Sequence, residues 1–317
     1  MNKILSYARL IRLNNLIIIA LTQYLVRYCL LKPAFAVHHL ENPMDELHFA
    51  LLVIATLLTA AAGNVINDYF DLPIDRVNKA SKITLGKTIY FKLPIFLHYL
   101  LSGLGILIGL YLGWHVHSIS LGLVFVIVSI MLWYYSFKYK GLLLWGNLVV
   151  AFLTALVIFI VFLFEFFASR NFPENFVESR GVLNHMLPYV LGYTTFAFLV
   201  SMMREIIKDV EDKQGDEQFG CYTLPIAWGV GAAKKVLYGI IYSTIVLLGY
   251  IQFKFYVFNF EILALSLMAS TQIPLIFIGV KIYSAKEKSD WHFLSQIAKL
   301  VILLGVLSML LVYNSIF

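Results

Sequence analysis

The chain alternates between long apolar runs and short polar breaks. Nine runs have the length of a bilayer-crossing helix: 13–31, 47–67, 92–113, 118–136, 142–166, 183–203, 233–252, 257–280 and 293–313. About 20 apolar residues at 1.5 Å rise cross a hydrocarbon core, so the pattern predicts nine transmembrane helices in one all-α bundle. Residues 4–11, "ILSYARLI", read as a short interfacial helix, with Ile4, Ala8 and Ile11 on one face and Ser6 and Arg9 elsewhere. No run has the short apolar core and small-residue cleavage site of a removable signal. Residues 1–317 read as one membrane domain, with no soluble domain appended. Two inner breaks, 68–91 and 204–232, exceed what a tight turn needs. The outer break 167–182 is polar and reads as a connection.

Composition agrees. Hydrophobic residues make up 61% of the chain and charged residues 13%, against roughly 25% charged in a soluble domain. With the N-terminus placed in the cytosol, 18 of the 24 lysines and arginines fall on inner segments and 4 on outer ones; Arg27 lies within the first span and Lys299 within the last. That asymmetry predicts a cytosolic N-terminus, both long breaks on the cytosolic side and an outer C-terminus. It also accounts for the net charge of +6 without nucleic acid. Two cysteines make neither a disulfide framework nor a metal cluster. His115 and His117 form an isolated pair on the outer side, and the other histidines lack ligand spacing. Glu165, near the outer end of span five, is expected to reach water.

The chemistry sits where two apolar helices end on the inner side. Asn64, Asp68, Asp71 and Asp75 stand at offsets 0, 4, 7 and 11, one face of a 3.6-residue helix, with Asn67 and Asp71 as an adjoining pair. Pro73 is expected to disturb the end of this helix. Glu205, Asp209, Asp212 and Asp216 repeat the same offsets four spans later. Carboxylates this dense repel one another and are costly beside hydrocarbon. Hard oxygen donors without sulfur or imidazole suit Mg2+, which binds through a few carboxylates plus phosphate oxygens. The cations beside them, Arg76, Lys79, Lys82, Lys87, Arg204 and Lys208, serve no purpose for metal alone but suit a metal-borne diphosphate. Arg12 and Asn15 stand near enough in the first span to reach the same site, although Arg12 also suits snorkelling. A solvated helix end with interleaved charges explains one such cluster; it explains two of matched spacing poorly.

The stretches "NDYFDLPID" (67–75) and "DVEDKQGD" (209–216), with "YYSFKYKG" (134–141), resemble the UbiA superfamily of intramembrane prenyltransferases. The resemblance implies nine spans around a central cavity. It implies that Asn64, Asp68, Asp71, Asp209 and Asp212 surround magnesium and a diphosphate, with Asn67, Asp75 and Asp216 in support. Lys138 and the loop cations are then expected on phosphate oxygens, and Tyr134 beside the reacting carbon. The longer run 204–225 is most similar to members that alkylate a glycerol phosphate ether lipid. That implies a geranylgeranyl-type diphosphate donor and a lipid-soluble acceptor, with no obligatory protein partner. The run "NKASKITLG" (78–86) departs from the arginine- and proline-rich stretch usual there, and an aromatic acceptor on the way to a quinone stays open. From the residues alone, a divalent-cation transporter and a non-enzymatic binder of polyprenyl phosphates are the competing readings.

Overall fold

The computed structural model describes residues 3–78, 90 and 92–316. Lys79, Lys82 and Lys87 lie outside them. The described chain is helical almost throughout. In order it forms α1 (Lys3–Leu10), α2 (Leu13–Leu25), a π-helical stretch (Val26–Leu31), α3 (Lys32–Val37), α4 (Glu46–Asn78), α5 (Leu93–His115), α6 (Ile119–Phe137) and a 3-10 turn (Tyr139–Gly141). Then follow β1 (Leu142–Leu143), α7 (Trp145–Ala168), α8 (Phe176–Gln218), β2 (Tyr222–Thr223), α9 (Leu224–Ala227) and α10 (Gly229–Val257). The chain ends with α11 (Glu261–Leu267), a second π stretch (Met268–Gln272), α12 (Ile273–Ser284) and α13 (Lys288–Ile316).

Among the described residues, nine helical stretches are long and apolar enough to cross a membrane. The first runs unbroken from Leu13 to Val37 and the eighth from Glu261 to Ser284, because the π stretches only widen the helix without ending it. Pro94 and Pro225 open α5 and α9, where the missing N–H would have no helical partner, whereas Pro33 and Pro274 follow the two π stretches inside continuous spans. The protein is an integral, multi-pass membrane protein.

Two sequence expectations need correction. Pro73 does not end its helix: α4 passes through it to Asn78, since proline removes one hydrogen bond but its φ is helical. The segment 167–182 is not merely a connection, because α8 already begins at Phe176 and runs through Pro188 to Gln218. Both acid-bearing helices therefore extend well past the apolar run that predicted them.

α4 packs on α5, α5 on α6 and α7 on α8, while α8 also meets α10 and α13. Small residues permit the closest approach. A Cβ on Gly113 would stand 2.6 Å from the Gly122 backbone nitrogen, so α5 and α6 touch backbone to backbone. One apolar cluster, including Leu30, Phe35, Phe49, Phe164 and Met309, fills one half of the bundle. Another, including Met203, Ile207, Leu275 and Trp291, joins α8 to α10, α12 and α13. Between α2, α4, α6, α7, α8 and α13 the packing opens into a cavity.

Candidate active site

The cavity measures about 450 Å³ and has two chemically distinct halves. Its depth is apolar, walled by Phe125, Val128, Leu132, Leu153, Val157 and Ile302 among others. Thr22, Thr56, Thr59 and Thr154 also line it, but each hydroxyl donates to the carbonyl four residues earlier, at 2.7, 2.9, 2.9 and 2.8 Å. The threonines thus spend their polarity on their own helices and leave the wall able to hold hydrocarbon.

The mouth is charged. α4 presents Asn64, Asn67, Asp71 and Asp75, and α8 presents Arg204, Glu205, Lys208, Asp209, Asp212 and Asp216. Both helices reach beyond their apolar runs, which places these side chains on the final turns where the bundle opens. The residue types correspond turn by turn: Asp71 with Asp212, and Asp75 with Asp216. Asp71 is 5% exposed, Glu205 and Asp216 each 7%, a degree of burial that ionised carboxylates tolerate only with partners. Asp71 accepts from Asn67 Nδ2 at 2.6 Å and from the Lys140 ammonium. Asp209 accepts from Asn147 Nδ2 at 2.7 Å. Glu205 accepts from Arg204 at 2.6 Å and Lys208 at 3.5 Å.

Asp68 pairs with Arg12, Nη2 to Oδ1 at 2.7 Å. Arg12 lines the cavity, whereas Asp68 is not among the lining residues. At about 100° per residue, the inward face of α4 centres between Asn64 and Asn67, which leaves Asp68 at its rim. Asn64 donates to the Ile11 carbonyl at 3.0 Å. It ties the left-handed Arg12 corner to α4.

Three residues expected at the site stand away from it. Tyr134 is 48% exposed, Lys138 and Arg76 are exposed, and none lines the cavity. Phe125, Val128, Leu132 and Tyr135 define the inward stripe of α6, so Tyr134 points about 100° away. Lys138 caps the end of α6 facing outward; Arg76 lies beyond the inward stripe of α4. Tyr135 and Lys140 line the cavity instead. Burial pulls the Lys140 ammonium down, but the Asp71 carboxylate more than offsets this, so its pKa stands above the ordinary lysine value.

Lys140 is carried by the turn Tyr139–Gly141, which a two-residue parallel ladder pins to the far side of the mouth, Leu142 opposite Tyr222 and Leu143 opposite Thr223. Sequence reasoning placed Glu205 in the second acidic stripe without a role of its own and assigned none to Asn147 or Lys299. Lys299 had a legible signal, a lone cation within an apolar span; Asn147 depends on which way a helix face turns.

All ligand-type side chains at this mouth are carboxylates or amides; no sulfur or imidazole lines the cavity among the described residues. This hard-oxygen donor set fits magnesium. Asp71, Asp75, Asp209, Asp212 and Asp216 are the residues that could hold it.

Elsewhere two groupings differ from expectation. Glu165 does not reach water. It is fully buried, bound to Arg27 at 2.5 Å and to the Met44 amide at 3.0 Å. His115 is not isolated: ligand atoms of Asp45, His48 and His115 lie within 4.8 Å of one another. The two imidazoles stack with centroids 3.5 Å apart and planes 6° from parallel. Lone pairs in parallel planes do not converge on one ion. His48 is instead held by Asp45 at 2.6 Å and Tyr111 at 3.0 Å, a clasp between α4 and α5.

A helical membrane bundle whose acid- and cation-lined mouth opens onto an apolar hollow is built for an anionic headgroup with a hydrocarbon tail. The profile of the UbiA prenyltransferase family matches residues 30–303, and the chain belongs to that family. It is similar to the digeranylgeranylglyceryl phosphate synthase of Methanosphaera stadtmanae, 28% identical over 80% of this chain and 84% of that one. It is likewise similar to the protein of the same name from Methanosarcina mazei, 30% identical over 74% and 73%. Among solved structures, one described as digeranylgeranylglyceryl phosphate synthase superposes with a TM-score of 0.63 at 24% identity, covering 99% of both chains. A UbiA homolog from Archaeoglobus fulgidus bound to DMAPP and Mg2+ superposes with a TM-score of 0.55 at 17% identity, covering 96% of this chain and 99% of that one.

Proposed function

We propose that this prenyltransferase moves a geranylgeranyl-type group from its diphosphate to a glycerol phosphate ether lipid such as geranylgeranylglyceryl phosphate, with magnesium at the acidic mouth. The observation that carries this is the junction of the two cavity halves: a charged rim that suits a diphosphate continues directly into a wall that suits an isoprenyl chain. The curated relatives are named for the acceptor product, and a homolog of the same fold is described with a prenyl diphosphate and Mg2+.

Within this reading the residues divide the work. Asp71, Asp209, Asp212 and Asp216, with Asp75, are the carboxylates for magnesium. Magnesium, when bound, supplies positive charge to the diphosphate oxygens as the allylic C–O bond weakens. Lys140, Lys208, Arg12 and Arg204 bring fixed cations to the same rim and stabilise negative charge on the departing group. Asn67 and Asn147 hold Asp71 and Asp209 in place by hydrogen bonds, so that little reorganisation accompanies the reaction. The apolar wall keeps water from the electron-poor allylic carbon. Tyr135 stands between the two halves and can offer its ring face to that carbon. A cation transport path needs ionisable groups along its length, and the deep half of this cavity has apolar walls.

The test is transfer by the purified full-length protein from labelled geranylgeranyl diphosphate to geranylgeranylglyceryl phosphate or to an aromatic acid, with and without magnesium. Metal-dependent product with the ether lipid is expected. Asp71→Ala and Asp209→Ala should each lower the rate by roughly a hundredfold or more. Full activity in both variants, or product with the aromatic acceptor alone, refutes the assignment.

A further inference from the structure

Five cations line the cavity, and four of them meet a carboxylate: Arg12 meets Asp68, Lys140 meets Asp71, and Arg204 and Lys208 share Glu205. The fifth, Lys299 on α13, forms no ion pair among the described residues. Its polar contact is a hydrogen bond to Asn15 Oδ1 on α2, at 3.2 Å. An ammonium has three N–H groups to give, and this one stands on a helix whose next inward residues are Ile302 and Val306. Lys299 is half-buried, and a charge within an apolar span is costly without a counter-ion. The amide orientation is fixed by chemistry, since an ammonium can only donate and Asn15 must turn its oxygen toward it. The two N–H groups of Asn15 Nδ2 remain to be given. Two facing helices thus offer a positive charge and amide donors with no carboxylate paired to them among the described residues, which is a seat for an anion.

This seat differs in kind from the acidic mouth. The mouth is carried by α4 and α8 and neutralises a diphosphate through metal. The Lys299–Asn15 pair is carried by α2 and α13 and has no carboxylate with which to hold a metal. A phosphate that does not leave during the reaction needs only charge and hydrogen bonds. Resting on the reading above, we infer that Lys299 and Asn15 bind the phosphate monoester of the acceptor lipid and so select a phosphorylated acceptor over a neutral one. In a glycerol phosphate monoether the free hydroxyl is on a carbon close to the phosphate-bearing one, so anchoring the phosphate also confines the hydroxyl that must attack the donor. The apolar residues that follow along α13 accompany the ether chain.

The test is initial-rate kinetics of the full chain in detergent with magnesium and saturating donor. The acceptor is either geranylgeranylglyceryl phosphate or the corresponding phosphate-free diol, and inorganic phosphate serves as competitor. Wild type should prefer the phosphorylated lipid, and inorganic phosphate should compete with it. Lys299→Met should lower kcat/KM for the phosphorylated lipid by about tenfold to a hundredfold and collapse the preference. The KM for the donor should stay unchanged. Lys299→Arg should restore part of the preference, and Asn15→Ala should shift it the same way by less. A Lys299→Met enzyme that loses both acceptors equally, or whose defect lies in the donor KM, overturns the proposal, as does a wild type indifferent to the acceptor phosphate. If wild type ignores the phosphate yet still transfers with magnesium, the prenyltransferase reading survives; if it transfers to neither acceptor, that reading fails as well.

Discussion

Arg27 and Glu165 are 1% and 0% exposed and lie 2.5 Å apart. Phe49 stacks on the guanidinium, 4.5 Å from carbon to ring centroid. Arg27 also donates to the Met44 carbonyl, and Glu165 accepts from the Met44 amide, so one pair ties three segments together. Removing Glu165 leaves the buried guanidinium with only the exposed Glu46 carboxylate, 3.6 Å away. Glu165→Ala should therefore destabilise the fold by about 3 to 5 kcal/mol, read as a lower melting temperature in detergent. The double variant Arg27→Met/Glu165→Leu should recover most of that loss, because an apolar pair of similar volume carries no desolvation penalty. A single variant that melts like wild type would show the pair to be dispensable. Nothing in the sequence distinguished Glu165 from an acid at a wet helix end, since its partner lies 138 positions away.

At the scale of elements, the site depends on how a short turn is held. Lys140 reaches Asp71 from the turn between α6 and β1, and that turn lies directly on the start of α7. A Cβ on Gly146 would stand 2.9 Å from both the Lys140 Cα and the Tyr139 carbonyl oxygen. Both contacts are backbone and cannot rotate aside. Gly146→Ala should push the turn outward, separate Lys140 from Asp71 and lower turnover by about tenfold while the helical content stays at its wild-type value by circular dichroism. Unchanged turnover would show that the turn can shift without consequence. The resemblance carried by "YYSFKYKG" pointed to Lys138, whereas Lys140 is the lysine of that stretch that lines the cavity. That choice is made by the parallel pairing of Leu142–Leu143 with Tyr222–Thr223, a contact between segments 80 residues apart in register.

For the whole molecule, the positive charge of the inner breaks supports a cytosolic mouth. Cys221 offers a handle on this. It is half-buried beside Gly141, with its Sγ 3.4 Å from a Cβ built there, while Cys29 is buried in the core. A membrane-impermeant maleimide should label Cys221 in inside-out vesicles and spare it in right-side-out ones. The reverse pattern would invert the topology. The same arrangement separates two environments within one protein: carboxylates, amides and cations at the rim, apolar walls in the depth. An isoprenyl diphosphate is divided in the same way, which is why one cavity can receive both of its ends.

The spans and the paired acidic stripes were legible in the chain itself, because hydrophobic length and helical periodicity are local properties that the bilayer and the backbone enforce. Their common side followed from counting spans. Tertiary structure alone decided that Asp71 faces the cavity while Asp68 stands at its rim with Arg12, and that Tyr135 and Lys140 line the cavity while Tyr134 and Lys138 do not. It also decided that Glu165 is buried against Arg27, and that Lys299 meets Asn15 across the bundle. Each of these is set by the rotation of a helix about its axis or by a partner far along the chain, and neither is fixed until the helices pack.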